Sequence, residues 1–139
     1  MRTRGTVVAI TLLLAGCGDT GDEGGFGVPR QPADAPLPGT RTELRGTVQV
    51  ESNGCLTLDT GRGEPRWIIW PAEQEDHLGQ PVLDGRAVED GDELAGTGAV
   101  TSADVLPDWP NPDGYFGSYG AFCAAGRKGI VVLDDVVRG

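Results

Sequence analysis

The hydrophobic pattern divides the chain into three parts. Residues 7–14 form a short apolar run interrupted only by Thr11. Residues 18–42 carry few apolar side chains among many Gly and Pro. From Glu43 onward, short apolar segments recur between turn signals. Leu44, Val48 and Val50 alternate with Arg45, Thr47 and Gln49, the period of a half-buried strand. Gly46 interrupts that strand and predicts a bulge or sharp coil. Asn53-Gly54 predicts a hairpin into a second strand over residues 55–58, with Leu56 and Leu58 on one face and Cys55 and Thr57 on the other. Residues 66–70, Arg-Trp-Ile-Ile-Trp, are apolar on both faces, so one side should line the core and the other lie beneath a loop. Pro71, the acids that follow it and Gly79 predict one or two turns of helix. Asp84-Gly85 and Asp90-Gly91 mark turns. A fourth strand is expected over 94–101, where Gly96 and Gly98 suit tight curvature. After a long segment rich in Gly and Pro, residues 130–133 form the last strand. The expected class is all-β, five strands and one short helical piece.

The first part changes meaning once its flanks are included. Arg2 and Arg4 precede the apolar run, which is far shorter than the roughly 20 residues a spanning helix needs. It ends in Leu14-Ala15-Gly16-Cys17. This resembles a bacterial lipoprotein signal peptide with its lipobox. The resemblance implies loss of residues 1–16, a diacylglycerol thioether on Cys17, and fatty acylation (palmitate or similar) of the freed amine. Two or more chains make a stable anchor where one is marginal. The domain would then sit at the cell membrane on its extracytoplasmic face. An ordinary secretory signal is the alternative, but an A-x-A-like cleavage site is absent. Residues 17–42 are expected to be a lipidated start followed by a flexible spacer of roughly 25–30 Å root-mean-square span. The barrel domain is expected over 43–139.

Charge and cysteines narrow the partners. The net charge is −10, and losing Arg2 and Arg4 takes it to −12. Such a surface repels a phosphate backbone, so nucleic acid is not an expected partner. With Cys17 assigned to lipid, Cys55 and Cys123 remain as an even pair outside the cytoplasm, where domains of this size commonly close a disulfide. A metal site would need more ligands than two thiols and the single His77, so neither metal nor cofactor is expected.

The strand pattern over 43–137 resembles an OB-fold barrel, with residues 90–98 similar to the turn into its fourth strand. The resemblance implies ligand binding by the loops after strands one and four. The first of these is only a tight turn, which leaves residues 107–123. Trp109, Tyr115, Phe116 and Tyr119 are therefore a possible ligand surface for glycan or peptide, flat rings offering contact area at small entropic cost. The competing expectation is that the rings cap the barrel mouth or the outer face of Trp67 and Ile69. No catalytic constellation is visible. Ser118 lacks the Gly two residues earlier that a nucleophile elbow needs, His77 sits in a polar stretch, and the carboxylates fall in turns. Asn111, Asp113 and Gly114 fit part of a calcium loop, but Trp109 and Gly120 stand where carboxylates are required. The expected function is a membrane-anchored binding or interaction module, with an envelope structural or assembly factor as the alternative. Its expected partners are the membrane through Cys17 and an envelope protein, peptide or glycan.

Overall fold

The run that is apolar on both faces lies at the seam of the barrel. The computed structural model describes residues 27–139; the proposed signal peptide, Cys17 and the start of the spacer lie outside them. The strands are β1 (Thr42–Val50), β2 (Leu56–Asp59), β3 (Arg66–Ile69), β4 (Asp76–His77), β5 (Gln80–Leu83), β6 (Arg86–Ala87), β7 (Glu93–Thr101) and β8 (Ile130–Arg138). Two short helices, α1 (Tyr115–Phe122) and α2 (Ala125–Lys128), precede β8. Five strands close into a barrel in the order β1-β2-β3-β8-β7, and β4, β5 and β6 form a separate small sheet. All barrel pairs are antiparallel except β3–β8, which closes the ring in parallel. The domain is all-β and OB-like.

β3 and the first part of β8, residues 130–133, are covered on both faces, as parallel neighbours usually are. Ile68, Trp70, Val131 and Leu133 face the interior with Leu44, Val48, Leu58 and Leu94. Trp67, Ile69, Ile130 and Val132 face outward into a second apolar layer completed by Leu106, Ala125 and the aromatic segment. Leu56 is half-buried, and Leu58 is the fully buried member of that pair.

β1 changes partner near Gly46. Residues 42–47 pair with β7 and residues 47–50 pair with β2. A Cβ on Gly46 would come within 2.6 Å of the Asp59 carbonyl oxygen, so the coil expected there is required by the close crossing of β2. Gly98 meets an equally close backbone, because a Cβ there would lie 1.9 Å from the Val132 carbonyl oxygen.

Four expectations need correction. The domain does not begin at Glu43. Val28 and Leu37 are buried, and the chain at Arg30 pairs beside Trp70, with Gln31 N–H donating to the Trp70 carbonyl at 2.9 Å. The Gln31 amide donates to the Leu133 carbonyl at 2.7 Å, and its oxygen accepts the Leu37 N–H at 3.0 Å. A few buried side chains and satisfied amides offset the ordering cost of a Pro-rich segment that composition marks as spacer.

The helix expected after Pro71 is instead the β4–β6 meander. Leu78-Gly79 and Asp84-Gly85 form its two hairpin turns, each with both central residues at positive φ. Helix forms in the segment expected to be irregular, as α1 and α2. Finally, β8 runs past Leu133 to Arg138. Its register shifts so that Thr97 pairs with Asp135 and Gly98 with Leu133, leaving Asp134 as a bulge. The two adjacent charges conceal the strand because Asp134 stands out of the ladder and pairs with Arg41, while the Asp135 carboxylate accepts the Thr97 N–H and hydroxyl.

Candidate functional site

The aromatic segment follows β7 and is held at both ends. Asn111 Oδ1 accepts the Asp113 N–H at 3.0 Å and its carbonyl accepts the Gly114 N–H at 3.1 Å, which turns the chain into α1. These bonds account for the residues that partly fit a calcium loop. Among the described residues no group of His, Cys, Asp and Glu is placed to hold a metal. Ser118 donates its hydroxyl to the Gly114 carbonyl at 2.8 Å, a bond within the helix.

α1 ends at Cys123, which is bonded to Cys55 with S–S 2.03 Å. Asn53 Nδ2 donates to the Phe122 carbonyl at 3.1 Å beside it. The helix presents its glycines to its neighbours. A Cβ on Gly120 would lie 2.6 Å from the Trp109 ring, and one on Gly117 only 1.8 Å from the Asn111 carbonyl oxygen.

The proposed ligand residues are thereby brought together, but most of their area faces the protein. Trp109, Phe116 and Tyr119 pack on the outer layer, with the Tyr119 ring 4.9 Å from that of Trp67. Burial pushes the Tyr119 hydroxyl up, and it donates to the Gly27 carbonyl at 3.3 Å. Tyr115 is the exposed member, at 44%. Burial and then the neighbouring Tyr119 raise its pKa as well. These rings act as a lid over Trp67 and Ile69. His77 is exposed on β4.

A second feature escapes any linear reading. β2 leaves β1 at Thr47, so the β2–β3 turn stands away from the first half of β1. Between them lies a cleft of about 620 Å³ lined by Thr40, Thr42, Arg45, Thr60, Arg62 and Arg66, with Glu43 at its wall. Among the described residues, Arg30, Arg41, Arg86, Arg127 and Arg138 each reach a carboxylate, the loosest being Arg86 to Asp92 at 3.9 Å. The sole lysine, Lys128, reaches Glu51 at 3.4 Å. The three arginines left without a described carboxylate partner, Arg45, Arg62 and Arg66, all line this one cleft. Arg66 donates to the Arg62 carbonyl at 2.9 Å, which braces the two against each other.

Fold and sites together define a disulfide-closed, OB-like barrel with an aromatic lid on one flank and an arginine-lined cleft at the β1 partner switch. No protein family, curated protein or solved structure matches the chain.

Proposed function

We propose that this protein is a lipid-anchored extracytoplasmic binding module. The observation that carries the anchor is Leu14-Ala15-Gly16-Cys17 behind a short apolar run with two arginines before it. The Cys55–Cys123 disulfide supports an oxidising compartment. The packing of Val28 shortens the connection, because only residues 18–27 separate the anchor from the domain. Ten residues reach at most about 35 Å when fully extended. The barrel would therefore work close to the lipid surface.

The test is mass spectrometry and detergent partitioning of the exported protein. A diacylated or triacylated Cys17 and partitioning into detergent are expected, and Cys17→Ser should abolish both. An unmodified N-terminus would reject the anchor. Native mass spectrometry of the same preparation addresses binding. A retained small molecule supports the module, whereas a stoichiometric envelope protein with no small ligand would support an assembly role.

A further inference from the structure

We infer that the cleft between the first half of β1 and the β2–β3 turn binds a small oxyanionic ligand, one carrying two or more phosphate or carboxylate groups. This deepens the proposal of a binding module but does not depend on the lipid anchor.

The inference starts from charge. In a chain with 21 acids against 11 basic side chains, an arginine should find a carboxylate easily. Five of the eight described arginines do so. The remaining three line one concavity, where the Arg62–Arg66 turn faces Arg45 from a different strand. An arginine fork has a geometry that matches phosphate and carboxylate through paired N–H donors, and it remains charged at any physiological pH.

The rest of the lining suits the same ligand. Thr40, Thr42 and Thr60 supply hydroxyls that can donate to further oxygens, and the Glu43 carboxylate can accept from a ligand hydroxyl. The volume lies within the range of small-molecule sites. The turn Gly61-Arg62-Gly63-Glu64-Pro65 is anchored from its far side, where Glu64 binds Arg127 at 2.8 Å. That ion pair occupies the one acid of the turn and keeps it from neutralising Arg62. The surrounding negative field also selects. A long polyanion would meet the acidic surface beyond the cleft, whereas a compact anion meets only the arginines.

The full chain in zwitterionic detergent should be titrated with pyrophosphate and with citrate, by calorimetry, at moderate and high salt. Binding that weakens with salt is expected, and the stronger probe identifies the oxyanion. Arg62→Gln and Arg45→Gln should each weaken it about tenfold or more, the usual scale for one charge-assisted hydrogen bond. Arg66→Lys keeps the charge but loses the fork, and should also weaken binding. Arg86→Gln changes net charge equally outside the cleft, at an exposed side chain only 3.9 Å from its carboxylate, and should leave affinity within about twofold. Competition by phosphatidylglycerol micelles would place the oxyanion on a lipid headgroup, and its absence would place it on a soluble ligand. Failure of both probes to bind would overturn the inference, as would equal losses in Arg86→Gln and Arg62→Gln. Because lipidation is read by mass spectrometry, loss of the anchor reading would leave this result standing.

Discussion

Leu78 is the residue least explained by stability. It occupies the first central position of the β4–β5 turn at φ 50° and is 90% exposed. Left-handed backbone costs a leucine about 1–2 kcal/mol, and the exposed side chain returns nothing by burial. Asn-Gly is the preferred pair for such a turn. Leu78→Asn is therefore expected to raise stability by about 0.5–1 kcal/mol, seen as a higher urea midpoint with unchanged slope. A lowered midpoint would show that Leu78 is held by contacts beyond the turn. The Leu-Gly pair also explains why the hairpin was hidden. Nothing in leucine announces positive φ, whereas Asp84-Gly85 six residues later was visible as a turn.

At the scale of elements, α1 separates propensity from packing. Replacing glycine by alanine inside an exposed helix usually stabilises it by roughly 1 kcal/mol. At Gly117 the new Cβ would strike the Asn111 carbonyl, which also accepts the N–H of Gly114. Gly117→Ala is expected to destabilise the domain by about 1–3 kcal/mol, the reverse of propensity. Thermal unfolding decides the sign. The disulfide acts on the same element from its other end. It closes a separation of 68 residues, worth roughly 4 kcal/mol of unfolded-state entropy on the chain-entropy model. Reduction is expected to lower the melting temperature and to release amide protection across 103–123 before the barrel strands. Uniform loss of protection would mean that the lid and barrel unfold as one unit. Sequence placed both cysteines correctly but left this segment irregular. Its helix depends on glycines fitting against Trp109 and Trp67, a tertiary contact with no periodic signature.

Across the whole molecule, three carboxylates clasp outer segments to the barrel. A hydrogen bond from Arg30 at 2.5 Å holds the Asp76 carboxyl below its usual range and ties the N-terminal segment to the meander. The Glu89 N–H, with Arg138 behind it, does the same for Asp92 and ties the chain end to the turn before β7. For Asp134, burial pushes the carboxyl up, but hydrogen bonds from Arg41 and Gln31 together outweigh it and hold it low. Each group has a lower pKa folded than unfolded, so between those values the unfolded chain binds more protons. The stability these groups contribute is full above the ordinary value of 3.8 and is lost as pH falls through the depressed ones. Acid titration is expected to release residues 28–41 and the meander early, and Asp134→Asn should flatten the pH dependence below 3.8. A pH profile unchanged in Asp134→Asn would remove that clasp from the account.

The sequence alone determined the all-β class, the barrel strands apart from the second half of β8, the double-sided burial of β3 and the cysteine pair. Those features are local or compositional: alternation reports one buried face, a continuous apolar run reports two, and an even pair of thiols beyond a proposed export signal reports a bridge. Only the tertiary structure decided where the domain begins, because Gln31 is an ordinary polar residue until the Leu133 carbonyl and the Leu37 N–H are placed around it. It also decided that the aromatic rings form a lid, since their faces are taken by Trp67 and its neighbours. The arginine cleft belongs wholly to that level. Arg45 and the Arg62–Arg66 turn lie on different strands and loops, and they meet because β1 exchanges one partner for another at Gly46. No pattern along the chain encodes a gap between two elements; it exists only once the barrel closes.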